Sequence, residues 1–186
     1  MAEKHVGRST ELDGSDLRVA LIRTRWNPEI IDRLAGGVDR ALAGCGVAAY
    51  EVVEVPGAFE IPFAARTLAA SGRVDAIVAI GAVIRGETTH YDLVSEECAR
   101  GLQDVQLATG VPIGFGVLAT ENLEQALARS EDGTGHNPSG HNVPSGHNVP
   151  SGHNVPSGHN VPSGHNVGAD AARVAVEMAL LARAWH

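Results

Sequence analysis

Basic residues are scarce in this chain: 14 Lys and Arg stand against 22 Asp and Glu, a formal charge of −8. No basic stripe runs along it, which argues against nucleic acid as a partner. Long apolar runs are missing as well. None reaches the ~20 residues that a bilayer-spanning helix needs, so no membrane partner is expected. Cysteine is nearly absent, and Cys45 and Cys98 are far apart and outside any CxxC pair. Reduced core thiols are expected rather than a disulfide. The first residues, MAEKHVGRSTELDGSD, have no apolar core and do not read as a secretory signal. A cytoplasmic protein is therefore expected. There is no dinucleotide-binding glycine fingerprint and no ordered metal triad, so neither a cofactor nor a metal is expected.

What is present is a chain of 186 residues, enough for one domain of ordinary size. The most informative stretch is VDAIVAIGAVIRGETTHY, residues 74–91. Its apolar run, Ala76–Ile84, is broken only by Gly81 and reads as a strand buried on both faces. The character then changes to Arg85-Gly86-Glu87-Thr88-Thr89-His90, followed by a helical pattern over Leu93–Leu107. In open α/β sheets ligands bind at the carboxyl ends of strands. Backbone N–H groups at the start of the next helix suit an anion. A histidine there is suited to proton transfer. The competing interpretation is a βα turn whose threonines cap a helix and whose histidine is a surface residue.

The remaining chain repeats this alternation. Strands are expected at Leu17–Thr24, Tyr50–Val55 and Pro112–Leu118, the last with two glycines inviting close backbone approach. Helices are expected from Pro28 to Gly44–Gly46, over Glu60–Ala70, over Asn122–Arg129 with Asn122 as N-cap, and over Gly168–Trp185. Strand and helix alternate four times, which predicts a parallel, doubly wound sheet covered on both faces. Three strand ends, Arg25–Asn27, Pro56–Glu60 and Arg85–His90, then converge on one edge. Residues 1–16 are polar and are expected to form a flexible arm ahead of a domain spanning 17–186.

That domain is interrupted by a low-complexity insertion at about 134–167. Gly-His-Asn occurs six times there, with histidines at 136, 141, 147, 153, 159 and 165. A segment of Gly, Pro, Ser and Asn with single valines cannot offset its ordering entropy by burial. One explanation is a flexible insertion produced by repeat expansion. The other is a metal-binding tract, although the spacing matches no compact zinc module.

Trp26-Asn27, PGAFEIP at 56–62, GAVIRGETTHYD at 81–92, PIGFGVLATEN at 112–122 and Ala128-Arg129, in this order and spacing, resemble the lumazine synthase family. The resemblance covers about 17–130 and resumes over 166–184. It implies a three-layer, flavodoxin-like α/β fold: a parallel four-stranded sheet with helices on both faces. It also implies condensation of 5-amino-6-ribitylamino-uracil with 3,4-dihydroxy-2-butanone 4-phosphate, giving 6,7-dimethyl-8-ribityllumazine in riboflavin biosynthesis. By resemblance, Trp26 stacks on the pyrimidine, and Ala58, Phe59 and Glu60 line the ribityl chain. Ala82, Val83 and Ile84 offer backbone groups to the ring edge. Gly86, Glu87 and Thr88 hold the phosphate with Arg129, His90 shuttles protons, and Phe115 enters from a neighbouring subunit. The implied assembly is a homo-oligomer, most simply a cyclic pentamer; the insertion disfavours packing pentamers into a shell. One departure is Asn166-Val167-Gly168, where Val167 takes the place of a family lysine near the phosphate. It leaves a non-catalytic flavin- or lumazine-binding or assembly-forming relative as the alternative.

Overall fold

The computed structural model describes residues 11–131 and 165–185. Residues 1–10, most of the expected arm, and 132–164, nearly all of the repeat, lie outside the described residues. Four strands form one parallel sheet in the order β2-β1-β3-β4. They are β1 (Val19–Thr24), β2 (Tyr50–Val55), β3 (Ala76–Ile84) and β4 (Ile113–Thr120). The helices are α1 (Pro28–Gly44), α2 (Ile61–Ala70), α3 (His90–Thr109), α4 (Leu123–Ala128) and α5 (Val167–Ala184). A 3₁₀ turn, Ala58–Glu60, leads into α2.

Side chains alternate across a strand, so the sheet has two cores. Val19, Leu21, Val78, Ile80 and Leu118 face Ile30, Leu34 and Val38 of α1 and Ala172, Ala175 and Val176 of α5. Ala20, Ile22, Ile77, Ala79 and Val117 face Ile61 and Ala65 of α2 and Cys98 and Leu102 of α3. This is the expected three-layer α/β arrangement. β3 carries no charge because both of its faces are covered. Both cysteines are free and buried; burial pushes the Cys98 thiol up to about 12.

The two glycines of β4 let α5 approach. A Cβ on Gly114 would collide with the Ala171 carbonyl oxygen, and one on Gly116 would crowd Ala171 and Ile80. Boundaries shift for local reasons. β1 starts at Val19, because the Arg18 N–H donates to Asp75 Oδ2 (2.8 Å) instead of joining the ladder. α3 starts at His90, a turn before its apolar periodicity begins, and stops at Gly110, whose φ of 72° suits glycine. Residues 11–16 lie against the fold, with Gly14 N–H donating to the Cys45 carbonyl (2.7 Å).

The amino edge of the sheet is tied by Asp75. Its carboxylate accepts from Arg18 Nη2 (2.8 Å) and Arg183 Nη2 (3.1 Å), joining β1, β3 and α5 far from the candidate site. The Arg18 hydrogen bonds hold the Asp75 carboxyl at about 2, below its ordinary 3.8. A depressed carboxyl contributes stability that is present above its unfolded value and lost as pH falls through its folded one. Asp75→Asn should therefore lower the thermal midpoint at neutral pH. The gap from the parent protein should close as pH falls from about 4 to about 2, which thermal scans over that range will show.

Candidate active site

The site is built from backbone turns at the carboxyl ends of β2, β1 and β3. After β1 the chain must reverse into α1, whose first residue is Pro28. Asn27 makes the reversal in the left-handed region (φ 57°, ψ 55°), which asparagine tolerates better than most residues. Its Nδ2 donates to the Ala82 carbonyl (2.9 Å), tying the β1 turn to the end of β3. Arg25 N–H donates to the Val55 carbonyl (3.0 Å), tying the same turn to β2. The turn presents Trp26, 71% exposed. The indole lies over Gly57, with its Cδ1 3.4 Å from where a Cβ there would stand. Gly57 N–H donates to Glu60 Oε2 (2.9 Å), which fixes the carboxylate beside that ring. Ala58 is buried beneath, while Phe59 is 60% exposed.

Val83 and Ile84 close β3, and residues 85–90 are exposed. His90 opens the 20-residue α3, so the imidazole stands where the helix N-terminus carries partial positive charge. Its backbone N–H reaches Thr88 Oγ1 (3.4 Å). The turn formed by Gly86, Glu87, Thr88 and Thr89 is braced by Arg85. Arg85 N–H donates to the Thr120 carbonyl (2.8 Å). Its guanidinium bonds Asp92 (3.0 and 3.3 Å) and Glu121 (2.8 Å), and lies 4.0 Å from the Tyr91 ring centre. Both carboxylates raise the Arg85 pKa further, so it is a permanent cation that bridges two acids beside the turn and offsets one of their two negative charges.

Arg129 caps the C-terminus of α4, its Nη1 donating to the Gln125 carbonyl (3.1 Å). Val167 is partly buried against the α1–α5 core, and its N–H donates to the Arg129 carbonyl (2.9 Å). Phe115 is elsewhere. It pairs with Ala79, five residues before Ile84, so it sits roughly 16 Å down the sheet at ~3.3 Å per residue. It is 46% exposed on the edge strand. One protomer thus gathers Trp26, residues 58–60, 82–84 and 86–90 along one edge, but not Phe115. Sequence reasoning missed the braces Asn27, Arg85, Tyr91, Asp92 and Glu121. Opposite charges at 85 and 92, flanking a glycine turn, were the available signal; Glu121 had none.

Residues 16–183 match the family model described as 6,7-dimethyl-8-ribityllumazine synthase. The chain belongs to the 6,7-dimethyl-8-ribityllumazine synthase family. A synthase of that name from Nitratidesulfovibrio vulgaris (strain DP4) is 47% identical over 128 residues, covering 68% of this chain and 82% of its own length. One from Kineococcus radiotolerans is 52% identical over 120 residues, covering 64% of this chain and 74% of its own. One from Xanthomonas euvesicatoria pv. vesicatoria is 50% identical over 122 residues, covering 64% and 79% respectively. Every candidate residue from Trp26 to Arg129 lies within the span matched by the family model.

Asn27 offers a direct test of how the edge is held. Asn27→Gly keeps the left-handed backbone and loses the bond to Ala82, so it should cost about 0.5–1.5 kcal/mol. Asn27→Val loses the bond and adds backbone strain of about 1–3 kcal/mol. Chemical unfolding of the two variants side by side should show the valine protein clearly less stable.

Proposed function

We propose that the chain condenses 5-amino-6-ribitylamino-uracil with 3,4-dihydroxy-2-butanone 4-phosphate to 6,7-dimethyl-8-ribityllumazine, the penultimate step of riboflavin biosynthesis. The observation that carries this is the single edge where an exposed indole, a fixed carboxylate, a strand end and a helix-start turn bearing His90 meet. Trp26 supplies an aromatic face for the pyrimidine. Glu60, with Oε2 held by Gly57, accepts hydrogen bonds from ribityl hydroxyls alongside Ala58 and Phe59. The backbone of Ala82, Val83 and Ile84 meets the ring edge.

The phosphate lies on the Gly86–Thr88 turn at the N-terminus of α3, where orphan N–H groups and the helix dipole favour an anion. Arg129 adds a planar, bidentate-capable cation. The 5-amino group attacks the ketone and water leaves, giving an imine. A proton is then lost and phosphate leaves by β-elimination. The enol so formed takes up a proton at carbon and becomes a methyl ketone, and attack of the ribitylamino nitrogen on that ketone, with loss of water, closes the ring. Each step moves a proton at nitrogen, carbon or oxygen, and His90 is the group placed to relay it. No electron transfer is involved.

We infer that the active unit is a homo-oligomer, because Phe115 lies too far down the sheet to serve its own protomer's edge. Two different apolar faces support this. One carries Val52, Phe59 and Phe63 at the β2–α2 side; the other carries Leu107, Phe115, Leu181 and Trp185 at the β4 side. Unlike faces that pair head to tail close into rings, and a cyclic pentamer is the ring proposed. The free buried thiols agree with a cytoplasmic setting. The alternative, a non-catalytic flavin- or lumazine-binding or assembly-forming relative, is favoured by Val167, which supplies no cation, and by the repeat.

Mixing the two substrates with the protein and following lumazine absorbance separates the alternatives. Chromophore formation at the uncatalysed rate would sink the synthase proposal. His90→Ala should keep the fold, since the residue is exposed. It should lower kcat by about 10²-fold, the low end for lost general acid–base help, because imine formation also proceeds unaided. Unchanged kcat at saturating substrates would remove His90 from the chemistry. Light scattering coupled to size exclusion should give five times the 19.3 kDa chain. A stable monomer would remove the shared site, and a megadalton particle would replace the ring with a shell.

A further inference from the structure

Glu131 and His165 flank the repeat, and around them the chain is drawn into a narrow neck. Ser130 and Asn166 form an isolated antiparallel bridge. Val167 N–H donates to the Arg129 carbonyl (2.9 Å), and Glu131 N–H donates to the His165 carbonyl (3.2 Å). The Asn166 side chain closes this neck. Its Nδ2 donates to the carbonyls of Glu131 and Arg33, both at 3.0 Å, and its Oδ1 accepts from Ala169 N–H at 3.0 Å. Both amide hydrogens and the amide oxygen are therefore used. Asn166 is 7% exposed and Ser130 is fully buried. The recess for the amide exists because residue 37 is glycine: a Cβ there would collide with Oδ1.

We infer that Asn166 is a positioning residue for Arg129, and that it isolates the proposed phosphate subsite from the long connection that begins three residues after Arg129. This rests on the assignment of Arg129 to the phosphate. The reasoning is one of tethering. Closing a loop costs entropy that grows with the logarithm of its length, so a long excursion continually favours opening its neck. If the neck opens, the Arg129 carbonyl loses Val167, and the guanidinium is then carried by the frayed end of a six-residue helix. Asn166 resists this by joining three things at once: the outgoing strand at Glu131, helix α1 at Arg33, and the first turn of α5. Asparagine suits the position, because aspartate lacks the two donors and serine is too short to span all three partners.

The test uses the full-length protein and both substrates. Asn166→Ser keeps a helix-capping oxygen but loses the bonds to Glu131 and Arg33. It should raise KM for the butanone phosphate about tenfold and leave KM for the ribitylaminouracil within about twofold, a selective loss equivalent to one binding contact. Replacing residues 132–164 with a short glycine-containing tether in the same variant should restore the first KM, because a short loop keeps the neck shut without the amide. A lower thermal midpoint with both KM values unchanged, an equal rise in both, or failure of the tether to rescue would each overturn the inference. If the single variant fails to fold but the tethered one folds, the neck role stands. If neither folds, Asn166 is a structural cap only, and the inference fails. Arg129→Gln serves as the parallel control. Should it leave KM for the butanone phosphate unchanged, the phosphate assignment itself falls. A rise with Arg129→Gln and none with Asn166→Ser sinks only the positioning role.

Discussion

The burial of β3 from Ala76 to Ala82 is the constraint on which the molecule depends. A strand with no charge and both faces apolar must lie inside a sheet with helices above and below. That requirement places β1 and β4 on either side of it and α1, α5, α2 and α3 over its two faces. Once β3 is central, its carboxyl end falls next to that of β1, and β1 brings β2 alongside. The edge bearing Trp26, the 58–60 turn and the 85–90 turn is thus a geometric consequence of burying this run of apolar chain. The chemistry is displayed where the apolar run stops.

Position alone does not give a usable site, because three turns on three strands would move independently. The Arg25 N–H ties the β1 turn to β2 at the Val55 carbonyl, and two side chains brace the rest. Asn27 spans β1 to β3 through Ala82. Arg85 spans β3 to α3 and to the end of β4 through Asp92 and Glu121. The second brace also has an electrostatic role. A turn proposed to hold phosphate would repel it if flanked by two bare carboxylates. With Arg85 bridging them, the local charge that an incoming phosphate meets falls by one unit, and the helix N-terminus can act.

Much of this was legible in the sequence, for identifiable reasons. Ala76–Ile84 and the alternation around it were readable because burial leaves a hydrophobic pattern. The capping role of Asn122 was readable because it is local, and its side chain does accept from Gln125 N–H. The start of α3 was placed at Leu93, three residues late, because the first turn, His90–Asp92, carries no apolar stripe and Thr89 makes no side-chain cap. Asn27 in the left-handed region left no trace beyond Asn-Pro. Glu121 is far from Arg85 in sequence and reaches it only through the Ile84–Thr120 register. The candidate residues came from the order and spacing of several motifs, whereas the braces come from three-dimensional neighbours that no short pattern contains. Phe115 shows the same limit from the other side: its motif sits among the site motifs, yet its side chain lies well down the sheet.

The place where the repeat enters follows from the same architecture. An insertion is tolerated where the chain leaves and re-enters a fold at one point, because the ends then need no rearrangement to accept it. The antiparallel bridge between Ser130 and Asn166 is such a point, and it lies beside α1 and the first turn of α5. Insertion into the 85–90 turn would have separated Arg85 from Asp92 and moved His90. Insertion into the 56–60 turn would have separated Gly57 from Glu60. At the neck, α5 still docks through Gly168, whose missing Cβ allows the Leu34 carbonyl to approach, and through Ala171 against Gly114. The helix that completes one core layer is therefore held by contacts that do not depend on the length of chain leading to it. Among the proposed site residues, Arg129 lies beside that length of chain, which is where the inferred role of the Asn166 amide comes from.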